Sequence, residues 1–281
     1  MENIIRVNGE PEIVWKTRDM ILNQFKDLIF IEEGHKYFLG DRELPSVSAV
    51  THQFARPFDE LKMSTNYAKK HGQTPEYWRS IWKYKNLIAT TSGTEVHLYG
   101  ECMTYLRMGH PELIPKEMAK FYIGDRGWLI PTRPKEEAIV KYFSEMYRYD
   151  YPVLAETKVY NNFNPDVPKM KTDYCGTFDI LYYRYFPEEP EKSGFVIKDY
   201  KTNKDLEKEY SRKNRKMCLE PFTDLFDEPL SMYTLQLSCY QIPLMDLGVN
   251  VIDREIIWLK DDKTYEVIKL PDITERIREV L

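Results

Sequence analysis

Two stretches of the chain alternate apolar and polar residues as strands do, and the segments around them repeat apolar residues every three or four positions as helices do. Residues 28–51 form the first strand-rich stretch. Ile29-Phe30-Ile31 leads to Gly34, Lys36-Tyr37-Phe38-Leu39 meets the turn signal Gly40-Asp41, and Leu44-Pro45-Ser46-Val47 follows. Residues 46–90 read as helical with breaks near Pro57, Gly72 and Pro75, and a further helix is expected to start at Ser92–Thr94 and end near Met108, before Gly109 and Pro111. Residues 134–149 put Ala138, Ile139, Tyr142, Phe143 and Met146 on one helical face. Three strands then follow, Val153–Tyr160, Tyr174–Tyr183 and Gly194–Lys201, with residues 184–193 as a hairpin loop. A helix over 231–247 and a hairpin of Val251–Leu259 with Thr264–Leu270 complete the pattern. The order predicts an α/β protein with a central mixed β-sheet flanked by helices and a largely helical N-terminal region.

Composition narrows the class. The 281 residues, 42% hydrophobic and 14% aromatic, suffice for a substantial core. The opening MENIIRVNGEPEIVW carries Glu2, Glu10 and Glu12 with no apolar run, so neither a signal peptide nor an Arg-rich transit peptide is expected. No stretch approaches the ~18 uncharged apolar residues of a membrane span, and no membrane partner is expected. Cys102, Cys175, Cys218 and Cys239 are scattered without a C-x-x-C pair, which favours packing roles in a reducing compartment. A net charge of −5 excludes a uniformly basic nucleic-acid coat but leaves room for a local basic groove.

The chemistry concentrates around Gly194-Phe195-Val196-Ile197-Lys198-Asp199-Tyr200-Lys201-Thr202. Alternation on a strand puts Asp199 and Lys201 on the face of Phe195 and Ile197, and puts Thr177, Asp179, Leu181 and Tyr183 on one face of the preceding strand. Antiparallel pairing around the 184–193 loop would bring Asp179 beside Asp199. Two carboxylates so close repel unless a cation lies between them, and carboxylate oxygens with waters suit Mg²⁺. Lys201 could then orient or deprotonate a water for attack on phosphorus. Taken alone, Asp-x-Lys also fits a simple surface ion pair. Ser92-Gly93-Thr94-Glu95-Val96-His97 would place His97 near the start of its helix, Glu156 lies in the strand before Asp179, and Gln236 and Tyr240, four residues apart, share a helix face. His35, His52, His71 and His110 fit surface or packing roles.

The order Gly93-x-x-x-His97, Glu156, Gly176-x-x-Asp179, Asp199-Tyr200-Lys201-Thr202 and Gln236-x-x-x-Tyr240 resembles the RecB-type exonuclease branch of the PD-(D/E)XK nuclease superfamily. The His35-to-His97 segment, with His-x-Tyr-Phe-Leu, a turn and Leu-Pro-Ser-Val-Ser-x-Val, is similar to the mitochondrial genome maintenance exonucleases and their phage relatives. The resemblance covers roughly residues 28–260. It implies a restriction-endonuclease-like core over 91–281, with residues 1–90 a β-hairpin and helical region covering the site, the two forming one compact unit. It implies His97, Asp179, Asp199 and the Tyr200 carbonyl as metal ligands, Lys201 as catalytic lysine, Glu156 assisting a second metal or the water, and Gln236 and Tyr240 holding DNA or bracing the site. The cofactor expected is Mg²⁺, with Mn²⁺ as a substitute, and no iron–sulfur cluster, since only Cys218 and Cys239 lie downstream. The absence of a mitochondrial address points to the cytoplasm of a bacterial cell or phage-infected host.

The substrate expected is DNA, single-stranded or with free ends. Residues 192–216 hold nine Lys or Arg against four acids, a local balance of +5, and Lys204, Arg212, Lys213 and Arg215 are the candidate phosphate contacts. Glu76 to Lys85 interleaves aromatic and basic residues; Trp78 and Trp82 are expected in the core, while Tyr77, Tyr84, Arg79 and Lys83 could meet DNA. With no P-loop present, a helicase or recombination protein would supply unwinding. The function expected is a metal-dependent exonuclease in DNA replication, recombination or repair. The alternatives are an endonuclease of the same fold acting on flaps or internal sites, and a non-catalytic DNA-binding module.

Overall fold

The computed structural model describes residues 6–7, 10–119 and 129–281; residues 1–5 and 8–9 of the N-terminal stretch lie outside it. Two short antiparallel strands, β1 (Arg6–Val7) and β2 (Glu10–Pro11), lead into helix α1 (Glu12–Phe25). The sequence pattern does not announce α1. Pro11 precedes it without a side-chain cap, and its buried stripe of Val14, Thr17, Ile21 and Phe25 is interrupted by a threonine. Strands β3 (Leu28–Ile31), β4 (Lys36–Leu39) and β5 (Arg42–Leu44) form the expected small antiparallel sheet. The chain becomes helical at α2 (Val47–His52), where the Ser46 hydroxyl accepts from the Ala49 N–H at 3.1 Å.

Helices α3 (Glu60–His71) and α4 (Pro75–Met108) follow as a hairpin. The helix start expected at Ser92–Thr94 is not there: α4 passes through it without a break. The Thr94 hydroxyl donates back to the Thr90 carbonyl at 3.1 Å, so the residue type that suggested a cap bonds within its own helix. His97 therefore sits deep in a 34-residue helix rather than in a first turn, and the division at residue 90 falls inside a single rod. Gly109, at φ 79, ends α4 in the left-handed conformation as its position suggested. Trp78 and Trp82 do not enter the main core. They pack at 5.0 and 5.6 Å against Tyr67 of α3, on a hairpin that leaves Phe58, Leu61, Tyr84 and Leu87 exposed.

After α5 (Lys116–Ala119) and α6 (Pro134–Glu145) the main sheet is laid down. Its strands are β6 (Asp150–Tyr160), β7 (Cys175–Arg184) and β8 (Gly194–Lys201); then come α7 (Glu209–Lys213), α8 (Pro229–Asp246), β9 (Val251–Leu259), β10 (Tyr265–Lys269) and α9 (Thr274–Val280). The spatial order is β10-β9-β8-β7-β6, mixed, with β8 and β9 parallel and the other pairs antiparallel. The α7–α8 crossover is what permits the parallel step. Strand alternation divides the core. Leu181, Phe195 and Ile197 pack with residues of α1, α2, α8 and α9, whereas Ile180, Tyr182, Tyr200 and Ile257 pack with Val96, Tyr99 and Met103 of α4 and Ile139 of α6. Helices thus cover both faces of one five-stranded sheet. Among the described residues no helix is long and apolar enough to cross a membrane. The four cysteines are buried thiols.

Candidate metal centre

Strand register assembles the acids. The pairs Ala155–Ile180 and Thr157–Phe178 bracket Glu156 and Asp179, so those two stand opposite each other on β6 and β7. The pairing of β7 with β8 stops at Ile180–Lys198, and one further step sets Asp179 against Asp199. Glu156, Asp179 and Asp199 therefore form a row across three neighbouring strands. The ladder opens at that row, and the Asp179 carboxylate fills the gap by accepting the Tyr200 N–H on Oδ2 at 2.7 Å. Glu156 holds φ 42, a left-handed conformation that costs a non-glycine residue about 1–3 kcal/mol and gathers at functional sites.

Helix α4 adds the imidazole. His97 Nδ1 lies 3.1 Å from Asp179 Oδ2, and ligand atoms of His97, Glu156 and Asp179 all fall within 4.8 Å of one another. The close approach of α4 depends on Gly100, where a Cβ would come within 2.8 Å of Tyr200 Cζ. Lys201 Nζ stands 2.8 Å from Asp199 Oδ1 and 4.3 Å from the Tyr233 ring centroid. The ammonium is close but off the hydrogen-bond direction, so Asp199 Oδ1 is a buried oxygen without an aligned donor.

Electrostatics shows a site short of positive charge. Burial and the neighbouring Asp179 push the Asp199 carboxyl up to about 7. Burial also raises Asp179, but His97 and Lys201 outweigh it and hold Asp179 well below the usual carboxylate range. Glu156 is pushed well above its ordinary value by burial, then by Asp179, Glu101 and Asp199. Burial pulls His97 down, yet Asp179 and Asp199 lift it above the ordinary histidine value. Lys201 is lowered by burial but raised more by Asp199 and Asp179, above the ordinary lysine value. An excess of carboxylates fits a hard divalent cation.

Sequence reasoning missed Glu101. It lies one helical turn beyond His97, and burial with Asp179 raises its carboxyl; the Tyr105 hydroxyl donates to its Oε1 at 2.7 Å. Its only sequence signal is the four-residue spacing from His97. Of the proposed ligands, Tyr200 turns its ring to the opposite face, while its N–H serves Asp179. Gln236 Nε2 donates to the Tyr240 hydroxyl at 3.1 Å, and the Tyr240 ring packs where a Cβ on Gly176 would come within 2.7 Å of its Cε1. Tyr240 is therefore a buried brace behind the acids, and the Gly-x-x-Asp spacing has a packing reason.

The basic stretch is only partly available. Lys198 is buried between Asp150 and Glu255, at 3.1 and 3.3 Å. Arg212, a candidate phosphate contact by sequence, has its guanidinium held at 2.8 Å by both Glu207 and the buried Glu228. Lys216 pairs with Asp227. Lys204, Lys208, Lys213 and Arg215 are exposed and have no ion-pair partner among the described residues. The other histidines stand apart from the site: His35 meets Phe30 edge to face, His52 contacts the Ser48 carbonyl, His71 packs on Tyr67 and His110 pairs with Glu112. Comparison with protein-family models and with curated proteins finds no match to this chain.

Proposed function

We propose that the protein is a metal-dependent nuclease of the RecB-type PD-(D/E)XK kind, an exonuclease acting on single-stranded or unwound DNA. The observation that carries this reading is the acid row Glu156–Asp179–Asp199 on three neighbouring strands, flanked by His97 and Lys201. An antiparallel meander, a helical crossover and a parallel strand support a restriction-endonuclease-like core. His97, Glu156, Asp179 and Asp199 would hold Mg²⁺ or Mn²⁺, with the Tyr200 carbonyl as a further oxygen. When bound, such a cation polarises a phosphate and acidifies water.

The chain's own residues do the rest. Asp179 is locked by the Tyr200 N–H and by His97, so its remaining oxygen points in a fixed direction. Lys201 places its amine beside Asp199, where negative charge grows as phosphorus is attacked. The Tyr233 ring lies over the Lys201 amine and limits its movement. The exposed cations Lys204, Lys208, Lys213 and Arg215 follow β8 directly, where a strand leaving the site would meet them. Any unwinding would come from a helicase or recombination partner.

The test uses purified protein with a linear single strand, the same strand circularised, and a duplex. Mg²⁺-dependent loss of the linear strand alone, abolished in Asp199→Ala and Lys201→Ala, is the expected result. Cutting of the circle would make it an endonuclease. Binding in Ca²⁺ with no cleavage in Mg²⁺ or Mn²⁺ would leave only a DNA-binding module.

A further inference from the structure

A cavity of about 640 Å³ lies between α1, the end of α4 and the outer edge of β6. Its size falls in the range of roughly 300–1,000 Å³ usual for small-molecule sites. Five consecutive residues of β6, Leu154 to Lys158, line it, so it abuts the edge of that strand and not one of its faces. Glu156 belongs both to this wall and to the group of ligand atoms with His97 and Asp179, so the cavity and the candidate metal centre share that residue. Its walls are apolar on one side and charged on the other, where the carboxylates Glu112 and Glu156 line it as well as cations. Leu22 of α1, Met108 of α4 and Leu113 give it an apolar slot, with Ile21, Phe25 and Leu154 buried behind it. Lys26 and Lys158, neither with an ion-pair partner among the described residues, stand at its border.

We infer that this cavity holds the terminal nucleotide of the strand, with its base in the apolar slot and its charged phosphate toward Lys26 and Lys158. The inference rests on the nuclease reading and adds to it the unit that is removed. An apolar slot beside unpaired cations matches a nucleoside monophosphate, whose flat base is stabilised by apolar and aromatic contact and whose phosphate needs positive charge. A free phosphate would not use the slot, and an uncharged nucleoside would not use the lysines. Because Glu156 is shared, a nucleotide seated here presents the next phosphodiester bond to the acid row. Hydrolysis of that bond by water leaves a phosphate on one fragment and a hydroxyl on the other, and releases a mononucleotide.

The experiment has two readouts on the full chain. In EDTA, binding of deoxyadenosine monophosphate (5′ and 3′ forms), deoxyadenosine and inorganic phosphate is measured calorimetrically for the wild type, Leu22→Trp and Lys158→Glu. Leu22 lines the cavity from a half-exposed position, so a Trp there fills the space from its rim, and Lys158→Glu reverses the charge without adding bulk. In Mg²⁺, the lengths of the products released from an end-labelled single strand are compared for the same proteins. The nucleotide is expected to bind at least tenfold more tightly than deoxyadenosine or phosphate, each variant to weaken it at least tenfold, and the wild type to release mononucleotides where Leu22→Trp releases longer fragments. Binding and product lengths unchanged in both variants, with DNA still cut, would overturn the cavity assignment and leave the nuclease reading intact. Nucleotide binding lost in both variants of a chain that cuts no DNA would overturn the nuclease reading and keep the cavity as a nucleotide site.

Discussion

Gly100 lies against the ring of Tyr200, close enough that a methyl group there would come within 2.8 Å of Cζ. That contact sets how near α4 comes to the sheet, and α4 carries His97 and Glu101 on either side of it. Gly100→Ala should therefore act twice. Overpacking costs about 1–3 kcal/mol, seen as a lower urea midpoint. The displaced imidazole should also weaken Mn²⁺ binding at least tenfold, measured by calorimetry under conditions where the variant is folded. A variant with native metal affinity would show that the glycine serves packing alone.

Glu101 has the environment of a working carboxylate although no motif marks it. Burial and Asp179 raise it, and it in turn raises Glu156. Glu101→Gln should lower Mn²⁺ affinity by about 10–100-fold, the usual effect of a group that supports a ligand. Tyr105→Phe removes only the hydroxyl that holds Glu101 and should cost less than Glu101→Gln. Equal metal affinity in the wild type and Glu101→Gln would remove Glu101 from the site.

What could be read from sequence followed how local each determinant is. Gly194–Lys201 and Val251–Leu259 have the bounds their β-branched and aromatic runs suggest, and Asp179 meets Asp199 because an antiparallel hairpin fixes register. The three-residue match of Gly176 to Asp179 hid a tertiary cause, the Tyr240 ring. Signals that depend on distant partners were not legible. The left-handed turn at Glu156 leaves no mark in residue type, and α1 has no cap. Thr94 looks like a cap but bonds within α4, and Arg212 looks like a phosphate contact until Glu228, sixteen residues on, closes over it. Whether a lysine faces DNA or a buried carboxylate is settled by packing, as Lys198 illustrates.

Lys198 belongs to a buried ionic cluster on the face of the sheet away from the acid row. With Arg184 it faces Asp150 and Glu255, and its ammonium also donates to the Tyr142 hydroxyl at 3.0 Å. Burial raises both carboxyls, but for Asp150 the Arg184 hydrogen bond and Lys198, and for Glu255 Lys198 and Arg184, hold them below their ordinary values. Depressed carboxyls stabilise the fold at pH above their unfolded values, near 4, and lose that contribution as pH falls through the folded ones. The unfolding free energy in urea should accordingly decline below about pH 4, and less steeply in Asp150→Asn. Lys198→Met should cost about 3 kcal/mol at pH 7, because it leaves buried carboxylates facing Arg184 alone. Identical acid limbs in the wild type and Asp150→Asn would refute the assignment.

The exposed cations after β8 separate two roles that composition merges. Lys204, Lys208, Lys213 and Arg215 face solvent without partners among the described residues, whereas Arg212 is tied to Glu207 and Glu228. Each phosphate neutralised on a single strand contributes about 0.7 to the slope of log affinity against log salt. Changing all four to Ala should lower that slope by about 2–3, measured by fluorescence anisotropy in Ca²⁺. Arg212→Ala should change it by less than about 1 and should instead destabilise the fold, since Glu228, 3% exposed, loses its counter-charge. A slope that falls with Arg212→Ala and not with the fourfold variant would place the DNA path on the other side of α7.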